Sequence, residues 1–223
     1  MKVAIMQPTF FPWVGYFSLI KAVDLFVFLD DVEYSHQSWQ TRNYFCISGR
    51  SQWLSIPVSS SSTTIIKDAK IHNPTRFLNK MQRTLKQSYS KAENSSLLPL
   101  FFDHIENKNI ELLGEFNMEV IDFFTRYLHI NTQFVKSSML EVEGAKSDKV
   151  NSILNAVSAS CYICAPGSRD YMVDYGLDKF CCPVQFYDYA NSASVSNVDK
   201  YGINMSIFDS IMCYSKKEIL NEI

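Results

Sequence analysis

Residues with chemically active side chains cluster within positions 1–43 of the chain. They comprise two acids, a histidine, an arginine, two amides and three aromatic rings, namely Gln7, Trp13, Tyr16, Asp30, Asp31, His36, Trp39, Arg42 and Asn43. A carboxylate or an imidazole can remove a proton from an amine or a hydroxyl group. An arginine fork binds phosphate or carboxylate, and flat indole rings can stack on a sugar or a base. These groups together predict a binding crevice that contains a general base.

The same residues lie next to the ends of predicted strands. Residues 2–7 and 25–29 are short apolar runs typical of buried strands, and a helix is predicted over about 13–23. In open α/β sheets, ligands bind beyond the carboxyl ends of the strands. Asp30 and Asp31 directly follow the second strand, so we expect both acids to border one crevice.

Each of these side chains also has a structural interpretation. An aspartate at a strand end can cap a turn, and His36 can be an exposed loop residue. Packing in the core is the alternative role for Trp13 and Trp39. In the functional interpretation a carboxylate orients the His36 ring, and Asp31 or His36 acts as the base beside Asp30.

The remainder of the chain alternates between strand and helix patterns. A β-hairpin is expected near residues 43–58, a helical insertion is expected near residues 74–128, and strands alternate with helices in the last third. The predicted fold class is therefore α/β, with a mostly parallel sheet and flanking helices. Its length suits a single domain over residues 1–223 that includes a helical subregion at 74–128.

Three further residues outside the first cluster are candidates for binding substrate. His72 ends an extended segment, Lys146 opens a predicted helix after a Gly-Ala turn, and Tyr171 follows a later strand. Backbone amides at a helix start, with a lysine beside them, can hold a phosphate. Neither GxxxxGK[ST] nor GxGxxG occurs in the sequence, so no standard phosphate loop is predicted.

Composition argues against several classes of protein and site. A net charge of −2 disfavours a broad DNA-binding surface. Cys161-x-x-Cys164 and Cys181-Cys182 have zinc-like spacing, but adjacent strand residues point to opposite faces, so no metal site is expected. No apolar run reaches the roughly 18 residues of a spanning helix, and no secretory signal precedes the first strand. We therefore expect a cytoplasmic protein with reduced thiols and no membrane insertion.

A long motif covers most of the chain. It begins with MQPTFFPWVGYFSLIKAVDLFVFLDDVEY, SWQTRN and WLSIPV, and continues with IHN, QSYSKA, KSDK and YICAPGSRDYM, over roughly residues 1–187. This combination resembles the WbqC-like protein family. The positions that match its motifs are Gln7, Trp13, Gly15, Tyr16, Asp30, Asp31, Trp39, Arg42, Asn43, Trp53, Pro57, Lys146, Gly167 and Tyr171. The family is associated with polysaccharide and O-antigen gene clusters, so the resemblance implies a sugar-modifying enzyme.

The resemblance implies a transferase that moves an acyl or aminoacyl group onto an amino sugar of a nucleotide-linked O-antigen, lipopolysaccharide or other polysaccharide precursor. Its donor would be an acyl thioester of coenzyme A or of an acyl carrier protein, or an aminoacyl donor. Asp31, His36 and Asp30 are the expected catalytic residues. The expected substrate-binding residues are Gln7, Trp13, Tyr16, Trp39, Arg42, Asn43, His72, Lys146 and Tyr171. A homo-oligomer of the chain is also consistent with the sequence.

Two other functions are consistent with the sequence. An ATP-dependent ligase or nucleotidyltransferase-like enzyme is one, because a strand, a Pro-Thr turn and Trp13-Val14-Gly15-Tyr16 are similar to the start of nucleotidyltransferases with a His-x-Gly-His signature. Both histidines of that signature are missing here. The other is a non-catalytic module that binds a sugar nucleotide or a carrier protein. The chain also departs from the WbqC-like pattern at residues 189–202, where the family's His-Pro-x-Tyr-x-Gln-like stretch is absent.

Overall fold

A computed structural model of the chain describes residues 1–61, 63–189 and 204–223. The strands are β1 (Lys2–Met6), β2 (Leu25–Phe28), β3 (Arg42–Ile47), β4 (Arg50–Ser55), β5 (Val58–Ser59), β6 (Lys70–Ile71), β7 (Gln133–Lys136), β8 (Cys161–Cys164) and β9 (Val184–Phe186). The helices are α1 (Val14–Lys21), α2 (Pro74–Tyr89), α3 (Leu97–Glu106), α4 (Leu113–Tyr127), α5 (Lys146–Ala156), α6 (Arg169–Tyr175), α7 (Ile207–Cys213) and α8 (Lys216–Glu222).

The centre of the fold is a parallel sheet of five strands in the order β7-β2-β1-β8-β9. Strand β1 pairs with β2 on one side and with β8 on the other, so the chain order reverses at β1. The predicted α/β class with flanking helices is therefore confirmed. Ligands of doubly wound sheets bind at the carboxyl ends of the strands where this reversal occurs.

The two faces of the sheet are buried by different elements. On β1 and β2, Ala4 and Phe26 belong to one apolar cluster that includes α1 and the helices α2–α4. The alternate residues Val3 and Val27 belong to a second cluster that includes residues of α5 and α6. Because successive side chains of a strand point to opposite faces, strands covered on both faces are apolar throughout. This explains why both strands appear in the sequence as short continuous apolar runs.

The predicted hairpin and helical insertion are both present. Strands β3 and β4 pair antiparallel, with Tyr44 opposite Trp53, around a turn in which Ser48 and Gly49 have positive φ angles. Helices α2, α3 and α4 occupy the expected helical region. The helical spacing of apolar residues in α4 buries Phe116, which packs among other phenylalanine rings of the core.

The C-terminal residues return to the core of the molecule. Phe208 of α7 is fully buried, and the buried Asp209 carboxylate accepts a hydrogen bond of 2.8 Å from the Tyr89 hydroxyl of α2. Of the atypical segment 189–202, all but Tyr189 lies outside the described residues. No helix within the described ranges combines the length and hydrophobicity needed to cross a bilayer.

Candidate functional site

A crevice of about 870 Å³ opens at the carboxyl ends of β1, β2 and β8, where the chain order reverses. Its walls come from the segments that follow β1 and β2, from the loop before β3, and from the beginning of α5. The lining residues with polar or aromatic side chains include Gln7, Thr9, Asp31, Trp39, Gln40, Lys146 and Lys149. The crevice therefore brings together four of the residues expected from the sequence, which are Gln7, Asp31, Trp39 and Lys146.

Asp31 and Lys149 form an ion pair in the wall of this crevice. The Lys149 Nζ atom lies 2.7 Å from Asp31 Oδ2, and only 11% and 15% of the Lys149 and Asp31 side chains are exposed. The Ser137 hydroxyl donates a hydrogen bond to Asp31 Oδ1, and Lys149 Nζ also donates to the Val142 carbonyl at 3.3 Å. These contacts fix the orientation of the Asp31 carboxylate at the end of β2.

Asp30 has a different environment from its neighbour. It is 1% exposed and does not line the crevice. The Ser138 amide donates to its Oδ1 atom at 3.0 Å, and the Ser138 hydroxyl donates to Oδ2 at 2.8 Å. The Ser137 oxygen also lies 3.2 Å from Asp30 Oδ1, so its single hydrogen is shared between the two aspartates. The carboxylate therefore joins the end of β2 to the turn after β7. This is the turn-capping role that a strand-end aspartate can have.

Neither candidate histidine is among the residues that line the crevice. His36 is exposed, and its ring contacts the Tyr34 ring edge-on at a centroid distance of 4.7 Å. His72 is also exposed, with its Nδ1 atom 2.9 Å from the Ser59 hydroxyl. The structure thus separates both imidazoles from the crevice that Asp31 lines, and Asp31 is the expected base that remains there.

Gln7 and Gln40 of the crevice lining form a chain of hydrogen bonds with Tyr16, which lies outside that lining. Gln40 Nε2 donates to Gln7 Oε1 at 2.9 Å, and the Tyr16 hydroxyl donates to the Gln7 carbonyl at 3.1 Å. Burial raises the pKa of the Tyr16 phenol far above its ordinary value, so this hydroxyl stays a neutral donor. Tyr16 supports the segment after β1, while Gln7 itself lines the crevice.

Asn43 and Trp13 hold the loop between β1 and α1 in place. The buried Asn43 amide donates to the carbonyls of Phe10 and Phe11 at 3.3 and 2.7 Å. The Trp13 ring packs over Gly15, where a Cβ atom would lie 2.3 Å from the indole, and it contacts Tyr189 edge-on at 4.9 Å. Both side chains stand outside the crevice lining.

Arg42 lies on the outer side of the β3–β4 hairpin rather than in the crevice. Its guanidinium carbon is 4.4 Å from the centre of the Trp53 ring. Trp39 lies between the crevice and the hairpin, because it lines the crevice and its ring centroid is 5.6 Å from that of Trp53. Tyr171 lies in α6, and its side chain is outside the described part of the structure.

Cysteine chemistry is separate from this crevice. No disulfide joins any two cysteines within the described residues, and burial raises the pKa of Cys182 to about 11, so this thiol stays protonated near neutral pH. In the same part of the chain, no group of three or more His, Cys, Asp or Glu side chains is placed to hold a metal ion.

A family model now adds sequence evidence to this geometry. The model of the WbqC-like protein family matches residues 7–221. The chain belongs to the WbqC-like protein family. An uncharacterized protein of Mycobacterium tuberculosis (strain ATCC 25618 / H37Rv), Rv1507c, is 29% identical over 195 residues, which cover 84% of this chain and 82% of that protein. No solved structure matches the chain.

Two residues that contact Asp31 in the wall of the crevice are not among those predicted from the sequence. Lys149 lies three positions after the candidate Lys146, and only the rotation of α5 shows which lysine reaches Asp31. Ser137 follows β7, more than a hundred positions after the aspartates that it contacts. The KSDK motif was a signal for Lys149, because residues three apart lie on the same side of a helix.

Proposed function

We propose that this member of the WbqC-like family transfers an acyl or aminoacyl group to the amine of a nucleotide-linked amino sugar. Membership of the family points to a role in O-antigen-related biosynthesis. The observation that supports a transfer reaction is Asp31, a carboxylate oriented by Lys149 and Ser137 in the crevice at the reversal point of the sheet. A fixed carboxylate at this place is well suited to act as a general base.

The proposed reaction forms one amide bond. The sugar amine attacks the carbonyl carbon of the donor, and Asp31 accepts the proton that the amine loses. The bond between the carbonyl carbon and the sulfur of a thioester donor then breaks, and the proton passes to the leaving thiolate. With an aminoacyl ester donor, the corresponding carbon–oxygen bond breaks and the proton passes to the leaving oxygen.

Lys149 supplies positive charge to this reaction. An ammonium group has three N–H donors. Asp31 and Val142 accept two of them within the described part of the chain. The third can stabilise the negative charge that develops on the carbonyl oxygen of the donor, an effect that is strong where water is excluded.

The dimensions of the crevice fit the proposed acceptor. Its volume of about 870 Å³ lies toward the upper end of the roughly 300–1,000 Å³ found for small-molecule sites. The partly exposed amide group of Gln7 can bind a sugar hydroxyl, and the apolar residues Ile5 and Val150 complete the wall. A sugar together with part of a nucleotide would occupy such a space.

The test is an acyl-transfer assay with purified protein, a panel of nucleotide-linked amino sugars, and acyl-coenzyme A or aminoacyl donors, read by mass spectrometry. Asp31→Asn keeps the shape of the side chain and removes the base, so kcat should fall by about a hundredfold or more. Glu141→Gln, an exposed acid outside the crevice lining, is the matched control and should change kcat by less than about twofold.

Two results would count against the proposal. Unchanged transfer by Asp31→Asn would remove Asp31 as the base. A product that forms only with ATP, with release of pyrophosphate, would favour the ligase alternative over direct transfer from a preformed donor.

A further inference from the structure

The outer side of the β3–β4 hairpin carries a connected cluster of aromatic rings. Tyr44 and Trp53 are cross-strand partners, and their rings stack with a centroid distance of 3.7 Å. The Trp39 ring lies 5.6 Å from Trp53 and 6.4 Å from Tyr44. Trp39 is 54% exposed and Trp53 is 40% exposed, although tryptophan is usually well buried. We call Trp39, Tyr44, Trp53 and the adjoining Arg42 the aromatic face.

The aromatic face is positively charged. Arg42 lies over Trp53 and forms no ion pair within the described residues. A guanidinium that stacks on a ring keeps its N–H donors, which lie in its plane, available for a second partner. Residues 34–67 contain no aspartate or glutamate, so no acid in this stretch of the chain offsets the charge of Arg42. A ligand with an anionic group and a flat ring is therefore complementary to this surface.

Trp39 is the ring with the most room for such a ligand. Tyr44 and Arg42 already pack on Trp53, whereas more than half of Trp39 is exposed. The Trp39 backbone is fixed, because its carbonyl accepts a hydrogen bond of 2.8 Å from the Phe10 amide. Trp39 also lines the crevice together with Gln40. A molecule stacked on Trp39 can thus extend from the hairpin into the crevice.

We propose that the aromatic face binds the nucleoside diphosphate part of the substrate. The base stacks on Trp39, which Trp53 supports from behind, and the Arg42 guanidinium binds the diphosphate. The attached sugar then extends into the crevice toward Asp31. This inference rests on the proposed function and identifies the residues that hold its nucleotide, of which Trp53 and Tyr44 carry no other assigned role.

The test is titration of the full chain with UDP, GDP, CDP, ADP and dTDP in turn, by calorimetry, with inorganic pyrophosphate and maltotriose as comparison ligands. At least one nucleotide should bind more tightly than pyrophosphate, because stacking adds to the phosphate contact. Trp39→Ala should weaken that binding by about tenfold or more, and Trp39→Phe should weaken it by less than about threefold. Arg42→Gln should weaken it by about tenfold and reduce its dependence on salt.

Arg50→Gln is the matched control, because it removes the same charge from the same hairpin at an exposed position of β4. It should change nucleotide affinity by less than about twofold. Thermal melts of each variant establish that it is folded, and Arg42→Gln carries the test if Trp39→Ala is unstable. Equal binding of nucleotides and pyrophosphate would overturn the inference, as would tighter binding of maltotriose. Unchanged affinity in both Trp39→Ala and Arg42→Gln would overturn it as well.

The same titration on Asp31→Asn separates this inference from the proposed function. If nucleotides bind to the wild type and to Asp31→Asn, but the wild type transfers no acyl group, the aromatic face is supported and the transfer reaction is contradicted. Acyl transfer to an amino sugar without any nucleotide, and no binding of the five nucleotides, would support the reaction and contradict the nucleotide site.

Discussion

At the scale of single residues, the two adjacent aspartates show how position divides their roles. Asp30 accepts hydrogen bonds from the amide and the hydroxyl of Ser138 and is buried away from the crevice. Asp31 turns toward the crevice, where Lys149 neutralises its charge. A strand that continues straight sends successive side chains to opposite sides. The pair therefore places one carboxylate in the fold and the other in the wall of the crevice.

Lys149→Met tests how much the stability of the crevice wall depends on this ion pair. Removing one partner of a mostly buried pair leaves the other charge without compensation, so we expect the free energy of unfolding to fall by about 3 kcal/mol. Urea unfolding of the wild type and of Lys149→Met measures this change. Acyl transfer should fall as well, because the ammonium that orients Asp31 is gone.

A double-mutant cycle identifies the pair as the cause. The variant with both Asp31→Asn and Lys149→Met should be more stable than the sum of the two single losses implies, because no buried charge is left unpaired. Strictly additive losses would mean that Lys149 acts through its packing alone. Lys146→Met is the matched control on the same helix, since Lys146 is exposed and makes no ion pair within the described residues.

At the scale of elements, the loop before α5 packs closely against the backbone of the helix at Lys149 and so positions this residue. Gly144 has a φ angle of +120°, and a Cβ atom there would lie 2.9 Å from the Lys149 amide nitrogen. Gly144→Ala therefore forces the loop or the helix to move, in addition to the strain of a positive φ. We expect a loss of about 1–3 kcal/mol in unfolding free energy together with weaker activity.

Gly167→Ala is the control for Gly144→Ala. Among the described residues, nothing beyond its chain neighbours lies within 4 Å of the place that a Cβ atom would take at Gly167. Its φ angle is not positive, so alanine should be tolerated there. Thermal unfolding and the transfer assay on both variants make the comparison. Equal behaviour of the two variants would show that the approach of the loop to α5 does not limit the site.

The elements themselves were largely predictable, whereas their mutual placement was not. The apolar runs of β1 and β2 and the helical stripe of α4 follow from periodicity, which is a local property of the sequence. The separation of His36 from Asp31 depends on the path of the loop that precedes β3. The partners of Asp30 come from the turn after β7, and no local pattern pairs residues that are so distant along the chain.

At the scale of the whole molecule, burial on both faces of one sheet places several titratable groups in apolar surroundings. Burial is the largest cause that raises the pKa values of Tyr16, Tyr34, Tyr89, Tyr127 and Cys182. Tyr16 and Tyr89 are almost fully buried, in α1 and α2. Since these groups stay protonated in the folded protein, the pH dependence of stability follows from where the unfolded chain releases the same protons.

We therefore expect the folded state to lose stability in alkaline solution. Well below pH 9 these groups are protonated in both states and contribute no slope. Above their ordinary pKa values of 9.0 for cysteine and 10.0 for tyrosine, the unfolded chain releases protons that the folded chain retains. The unfolded state then binds fewer protons, so the free energy of unfolding decreases as pH rises. Urea unfolding from about pH 7.5 to about pH 10.5 measures this slope.

Tyr16→Phe assigns part of that alkaline slope to one residue. The variant loses the hydrogen bond from the Tyr16 hydroxyl to the Gln7 carbonyl, so it should be less stable than the wild type near neutral pH by about 1 kcal/mol. It also lacks a phenol that must ionise on unfolding, so its stability should fall less steeply above about pH 10. The two stability curves should therefore converge as pH rises. Parallel curves throughout the alkaline range would show that the Tyr16 phenol is as free to ionise in the folded protein as in the unfolded chain.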